Sequence, residues 1–402
     1  MSNFNCDSFE QIEKNLDRLF VPKYYPGFIL SIYENGNESF FLNKGYDDIS
    51  KKIEYKKDSI FRIYSMTKPI VSTAAMQLIE NKKLALDDDV TKYIPEWDDA
   101  VFYKSNNKNV ITIKDLFTHT SGLTYAFQGQ SEVDKKYKVS GINSIVDSEL
   151  SSQEIINELS NIPLEFSPGS FYNYSISIDI LGFIIERISN KTLNEYLYEN
   201  IFNTLGMKDT DFTLDASKIE RLAMCYRWDE SKNKYETHDL KTNPNIAVKS
   251  YLKKPSSYSG GAGLLSTMND YQLFGSALLD AKKGRKNPLI NKDTANLMMK
   301  NHLPNNKHID QLSKYPLKGE QYYRGLGFGL GGSICIDENA GLSNSNVGDF
   351  GWGGAASTSF FISDKYDYSL VFLTQVLESE ETRKLNSEIK KLVNGCVDVH
   401  KE

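Results

Sequence analysis

Apolar residues recur every third or fourth position over residues 8–20, at Phe9, Ile12, Leu16, Leu19 and Phe20, and this spacing predicts an amphipathic helix. After Pro26-Gly27 the pattern becomes an apolar run, Phe28 to Tyr33, which reads as a strand. Asn35-Gly36 supplies the positive φ of a tight reversal, so Glu38 to Leu42 is expected as the antiparallel neighbour. A further strand is expected from Ser59 to Ile63. Beyond it Ile70, Val71, Ala74, Ala75, Leu78 and Ile79 return at helical spacing. Helical patterning continues at 111–117, with Thr112 as N-cap, then at 153–159, 176–188 and 269–279. Residues 126–149 are polar and read as an irregular surface excursion; 210–255 read as loops and short strands. Strands return at 325–330, 333–336, 350–362 and 368–374, before a helix over 380–393. Sheet at both ends with helices between predicts an α/β lobe from residues 1–70 and 255–402. A mostly helical lobe, residues 71–254, is inserted into it.

The chain has 402 residues, enough for a large core, and a formal net charge of −6 with signs well mixed. No basic stripe marks a nucleic-acid surface. Cys6, Cys225, Cys335 and Cys396 are scattered without metal-ligand spacing and are expected to be free thiols in a reducing compartment. The five histidines form no ligand pattern, so neither a metal nor another cofactor is expected. No apolar run reaches membrane length, and the first residues lack a basic start followed by an apolar stretch. A cytoplasmic protein that engages neither membrane nor nucleic acid is therefore expected.

The candidate chemistry centres on Ser65-Met66-Thr67-Lys68, where a β-leaning run ends and a helix begins. Lys68 lies one helical turn from Ser65, on the same face. A hydroxyl and an amine so placed can serve as nucleophile and base, and the helix start favours developing negative charge. The four-letter pattern alone is weak: Ser-x-x-Lys also begins at Ser105, Ser231, Ser250 and Ser387, in contexts without nearby chemistry. Two further places carry candidates. His119-Thr120-Ser121-Gly122 reads as a tight turn with Gly122 left-handed, and His119 as a histidine hydrogen-bonded within it. Pro168-Gly169 leads to Tyr174 at a loop-to-helix junction. The glycines of Ser259-Gly260-Gly261-Ala262-Gly263 lack the strand–helix frame of a phosphate loop and read as close backbone packing.

Taken together, these stretches resemble the serine β-lactamase and penicillin-binding-protein superfamily, in the branch of class C β-lactamases and related carboxylesterases. The likeness spans roughly residues 20 to 380. Ser65-Met66-Thr67-Lys68 is similar to the family's Ser-x-x-Lys motif. Leu116 to Leu123 resembles its "LLTHTSGL" turn. Tyr174-Ser175-Ile176, with Asp179-Ile180-Leu181-Gly182, resembles the tyrosine motif in its esterase form. Trp352-Gly353-Gly354 stands where the family has Lys-Thr-Gly. The resemblance implies a β-lactamase-like α/β fold, an antiparallel sheet flanked by helices, with the site between two lobes. It implies acyl transfer by Ser65, assisted by Lys68 and Tyr174, with an oxyanion hole from the N–H groups of Ser65 and Ala355.

Two departures from the penicillin-directed pattern bear on substrate. Trp352 replaces a lysine that helps hold a carboxylate, and Ile176 replaces an asparagine that contacts a substrate amide. Both favour a neutral ester over an anionic amide. Tyr125, Phe127, Tyr172, Trp352, Gly353 and Gly354 are the expected pocket residues. The leading expectation is a carboxylesterase acting on a small-molecule ester. An acyltransferase using the same acyl-enzyme, a β-lactamase or D-amino-acid peptidase, and a non-catalytic ligand sensor are the alternatives.

Overall fold

The computed structural model describes residues 4, 6–21, 25–98, 100, 110–146, 148–237, 251–377 and 380–397. The hairpin expected at Asn35-Gly36 is present: both residues are left-handed, with φ of 49° and 73°. They join β1 (Gly27–Glu34) to β2 (Asn37–Gly45). The other strands follow as β3 (Phe61–Arg62), β4 (Tyr226–Asp229), β5 (Lys234–Thr237) and β6 (Leu265–Ser266). Then come β7 (Leu326–Phe328), β8 (Ser333–Cys335), β9 (Phe350–Gly353), β10 (Ser359–Ser363), β11 (Tyr368–Leu373) and β12 (Val376–Leu377). Seven of them form one antiparallel sheet in the order β2-β1-β11-β10-β9-β8-β7. Ile29 faces Leu373 and Glu34 faces Tyr368 across the β1–β11 pair, so residues near the two ends of the chain share the middle of the sheet.

Both faces of this sheet are covered, which explains the unbroken apolar runs of its strands. Along β1, Phe28, Leu30 and Ile32 pack with Ile12 and Leu16 of helix α1 (Cys6–Leu19). The same layer takes in Leu385, Ile389 and Val393 of the C-terminal helix, Glu380–Gly395. Ile29 points the other way, into the larger core, as do Val371 and Leu373 of β11. There Tyr271 and Phe274, from the helix Met268–Lys283, pack on Phe360 of β10. Each fully buried Leu, Ile or Phe contributes about 1.5–3 kcal/mol.

Helix α2 (Thr67–Glu80) runs through the core with all but a few of its side chains buried. Helix α3 (Ile113–Thr118) begins as expected at Thr112, whose hydroxyl accepts from Asp115 N–H while the Asp115 carboxylate accepts from Thr112 N–H. Helix α4 (Glu132–Val139) lies where an irregular excursion was expected. Its Ser131–Asp134 capping box sits in polar sequence, and the Asp134 carboxylate is buried against Thr124 and Gln130 N–H. Polarity there reflects a satisfied helix start, not a loop. Helices α5 (Ser152–Ser160) and α6 (Ser177–Ser189) match the periodicity.

The expected strand Ser59–Ile63 is shortened to β3 and does not join the main sheet. It pairs with β6 instead, Phe61 opposite Ser266. Ile60 is taken up on its other side by Arg221 O and Ala223 N–H, and the chain turns at Tyr64, whose φ is +43°. Residues 210–255 are in part a hairpin, β4–β5, with β12 parallel to β4; 238–250 lie outside the described residues. Among the described residues no helix is long and apolar enough to cross a membrane. Cys225, Cys335 and Cys396 are buried, and none is in a disulfide among the described residues.

Candidate active site

The start of α2 is pinned from several directions. Tyr64–Met66 form a 3-10 turn that runs directly into α2, so Ser65 stands at the helix entrance. Ser65 N–H precedes the turn's first hydrogen bond, Met66 N–H to Ile63 O at 3.0 Å. Met66 O accepts from the Tyr271 hydroxyl (2.8 Å), and the Thr67 hydroxyl accepts from Leu264 N–H (3.1 Å). These tethers come from residues some two hundred positions away. They position the turn independently of any substrate.

Ser65, Lys68 and Tyr174 converge here. The Tyr174 hydroxyl donates to Ser65 Oγ at 2.6 Å, and Lys68 Nζ lies 3.3 Å from the same oxygen. Lys68 is fully buried. Its Nζ is held by three oxygens: Ser65 Oγ, the Tyr125 hydroxyl (3.1 Å) and Gly261 O (2.8 Å). Nζ also lies 4.4 Å from the centre of the Tyr174 ring. By contrast, Ser231 sits on the exposed β4–β5 turn and Ser387 in the C-terminal helix, while Ser105 and Ser250 lie outside the described residues.

Tyr174 is delivered by a loop fastened to the 119–124 turn. Asn173 N–H bonds His119 O, the Asn173 amide bonds Leu123 O (3.1 Å), and Gln128 donates to Tyr174 O. His119 is left-handed and fully buried, and its Nδ1 accepts from Ser175 N–H at 3.2 Å. The hydroxyls of Ser175, Ser177 and Ser121 extend this contact at 2.8 Å spacings. Burial, followed by the Lys68 charge, holds the His119 imidazole well below its usual pKa, so it is neutral. Its ring, 4.8 Å from that of Tyr174, braces the phenol and does not reach for Ser65. That is the geometry of a turn histidine.

The expected pocket residues divide. Trp352 is half-buried at the end of β9, its ring 5.6 Å from Tyr174 and its Nε1 3.5 Å from the Tyr174 hydroxyl. Gly353 pairs with Ser359 of β10. At Gly354 a β-carbon would lie 2.3 Å from Ile63 O, so only glycine lets this segment pass so close to the Ser65 turn. Ala355 follows and is exposed. Phe127 is 67% exposed and stacks on Tyr125 at 4.7 Å. Two readings are corrected. Tyr172 is 2% exposed and packs against Phe328 and His119, one layer behind the cleft. Tyr125 is 4% exposed and supports Lys68 through its hydroxyl, where a pocket wall was expected. Burial first, then the Asp179 charge, pushes its phenol well above the ordinary value.

The glycine-rich segment 259–263 packs as close backbone, as expected. A β-carbon at Gly260 would meet Ile178 O at 2.7 Å. Sequence reasoning gave the segment no part in the site, yet it supplies the Gly261 carbonyl to Lys68. Its own anchor, Asp179 in the first turn of α6, was seen only as part of a motif. The available signal was a lone carboxylate inside the apolar run Ile176 to Ile185.

A Ser–Lys–Tyr cluster at a helix entrance, its amine buried and its phenol against the end of strand β9, fits the class of the serine hydrolases with a β-lactamase fold. The family model for Beta-lactamase matches residues 16–394, and the chain belongs to that family. It is 32% identical over 343 residues to protein Rv1367c of Mycobacterium tuberculosis, covering 82% of this chain and 81% of that one. It is 28% identical over 374 residues to esterase EstB of Burkholderia gladioli, covering 90% and 89%. Acyltransferase calJ of Penicillium decumbens is 25% identical over 380 residues, covering 90% and 85%. Among solved structures, EstCE1, described as a hydrolase with promiscuous acyltransferase activity, superposes with a TM-score of 0.81. It covers 96% of this chain and 98% of its own at 24% identity, which supports the fold.

Proposed function

We propose that the protein is a serine carboxylesterase that cleaves neutral carboxylic esters through an acyl-enzyme. The observation that carries this reading is the 2.6 Å contact from the Tyr174 hydroxyl to Ser65 Oγ, with Lys68 at 3.3 Å. Ser65 Oγ adds to the ester carbonyl in the state of the site in which the Tyr174–Lys68 pair has already given up one proton, and the Ser65 proton passes to that pair. The N–H groups of Ser65 and Ala355 receive the developing oxyanion, each donor being worth roughly 100- to 1,000-fold in rate. Collapse expels the alkoxide, which takes the proton back from the pair. Water then adds to the acyl-enzyme, the same pair accepts its proton, and collapse releases the acid as the pair returns that proton to Ser65 Oγ.

Trp352 supports the choice of a neutral ester. Where a carboxylate-bearing β-lactam would need a cation, it places an aromatic ring against Tyr174. The likeness to an esterase over nine-tenths of the chain points the same way. A second reading, acyl transfer to an alcohol, draws on the likeness to acyltransferase calJ. The acyl-enzyme is common to both, and partitioning between water and added alcohol separates them.

The test is a panel of p-nitrophenyl esters of increasing acyl length beside the cephalosporin nitrocefin. Esters are expected to be turned over, and Ser65→Ala to abolish turnover. Nitrocefin turning over with a higher kcat/KM than every ester would overturn the neutral-ester reading.

A further inference from the structure

Asp179 is an ionisable side chain in the first turn of α6, 1% exposed, and no step above uses it. Its Oδ1 accepts from the Ser259 hydroxyl (2.6 Å) and from Gly261 N–H (2.9 Å). The same Gly261 presents its carbonyl to Lys68 Nζ at 2.8 Å. The peptide segment thus links carboxylate and amine, N–H toward one and C=O toward the other.

The second oxygen, Oδ2, is buried, and the group beside it is the Tyr125 phenol, whose pKa the carboxylate helps to raise. A β-carbon at Gly261 would lie 2.3 Å from Oδ2 and 2.9 Å from the Tyr125 hydroxyl. The carboxylate and the phenol therefore meet in the space that glycine leaves open. That phenol is the one bonded to Lys68. A desolvated carboxylate is costly unless a positive charge compensates it. Lys68 supplies that charge.

We propose that Asp179 is a positioning residue, a buried counter-charge that holds Lys68 beside Ser65 through Gly261 and Tyr125. The proposal rests on the reading of Ser65 as the nucleophile. The other titratable groups facing this cluster are Tyr174, at the N-terminal approach to α6, and His119, on the turn after α3. Burial raises the Asp179 pKa, while Lys68, Ser259 and Gly261 N–H oppose that rise and favour the anion. With the anion in place, the Tyr125 phenol keeps its proton more tightly. An anion beside a proton-transfer site favours its protonated state, and removing that anion favours proton loss. Neutralising Asp179 therefore moves the pH dependence of Ser65 reactivity to lower pH. A purely structural role would change yield or melting temperature and leave the midpoint in place.

The readout is the rate of fluorophosphonate labelling at Ser65 as a function of pH, with the site assigned by peptide mass spectrometry, so no ester substrate is required. Asp179→Asn keeps the shape and both Oδ1 acceptor contacts. Its labelling midpoint is expected to fall by about one pH unit or more. Ser259→Ala removes one of the two hydrogen bonds that favour the anion and is expected to shift the midpoint less, in the same direction. Wild-type midpoints in both variants overturn the proposal. Where Asp179→Asn does not fold, Ser259→Ala decides by the same criterion. A wild-type protein unlabelled at Ser65 at every pH would instead refute the nucleophile assignment, and with it this inference.

Discussion

Replacing Tyr174 with phenylalanine isolates the chemistry from the packing. The substitution deletes one oxygen, 2.6 Å from Ser65 Oγ, and leaves a ring that still stands 4.8 Å from His119, 5.5 Å from Tyr125 and 5.6 Å from Trp352. The Trp352 N–H contact to that oxygen is long, at 3.5 Å, so little stability is lost with it. The fold is expected to lose no more than about 1 kcal/mol. The rate is another matter. A positioned general base contributes roughly 100- to 10,000-fold, which at 1.36 kcal/mol per tenfold is about 3–5 kcal/mol of barrier. Tyr174→Phe should therefore reduce kcat/KM for p-nitrophenyl butyrate by at least about 100-fold. KM should change little, because the lost interaction belongs to the transition state. Steady-state kinetics beside a thermal melt gives both numbers from one preparation. A variant that melts with the wild type and keeps kcat/KM within about threefold would refute the assignment, because no base contribution of the stated size would be missing.

Two other substitutions probe the frame around the chemistry. Gly354→Ala puts a β-carbon 2.3 Å from the Ile63 carbonyl, a backbone atom with little freedom to yield. The end of β9 should shift away from the Ser65 turn and carry Ala355 N–H with it. kcat is expected to fall roughly 100- to 1,000-fold, with a stability cost of about 1–3 kcal/mol, measured by kinetics and denaturant melts. For His119 the sign follows from its depressed folded-state pKa. Below about pH 6.5 the unfolded chain takes up a proton that the folded protein refuses, so this residue lowers stability on acidification. His119→Asn keeps a residue tolerant of left-handed backbone. It should lose less melting temperature than the wild type between pH 7 and pH 5, and equal losses would contradict a neutral buried imidazole.

What the sequence disclosed was local and patterned. Asn35-Gly36 carries its own turn chemistry, and Thr112–Asp115 its own cap. β1 and β11 declare themselves by apolar runs, although their pairing, Ile29 with Leu373, joins residues at opposite ends of the chain. The misreadings arose where a partner far along the chain decides. Nothing near Phe61 indicates that Ser266 will compete with the main sheet for it. Asp134 is a different case: its partner Thr124 is near in sequence, but its polar setting hides the cap it makes. Ser65 and Lys68 are legible together because four residues of helix link them, and Tyr174 because a family pattern flags it. Tyr125, Gly261 and Asp179 meet Lys68 only in three dimensions, so no spacing rule could have joined them.

Ser65 sits on a turn tied down by Tyr271 and Leu264, behind which Lys68 is sealed from solvent. Phe127, Trp352 and Ala355, by contrast, keep partly or largely open faces. Reactivity and appetite are thereby kept in separate parts of the molecule. A lineage could exchange what passes the entrance, one rim side chain at a time, without disturbing the machinery that breaks the bond.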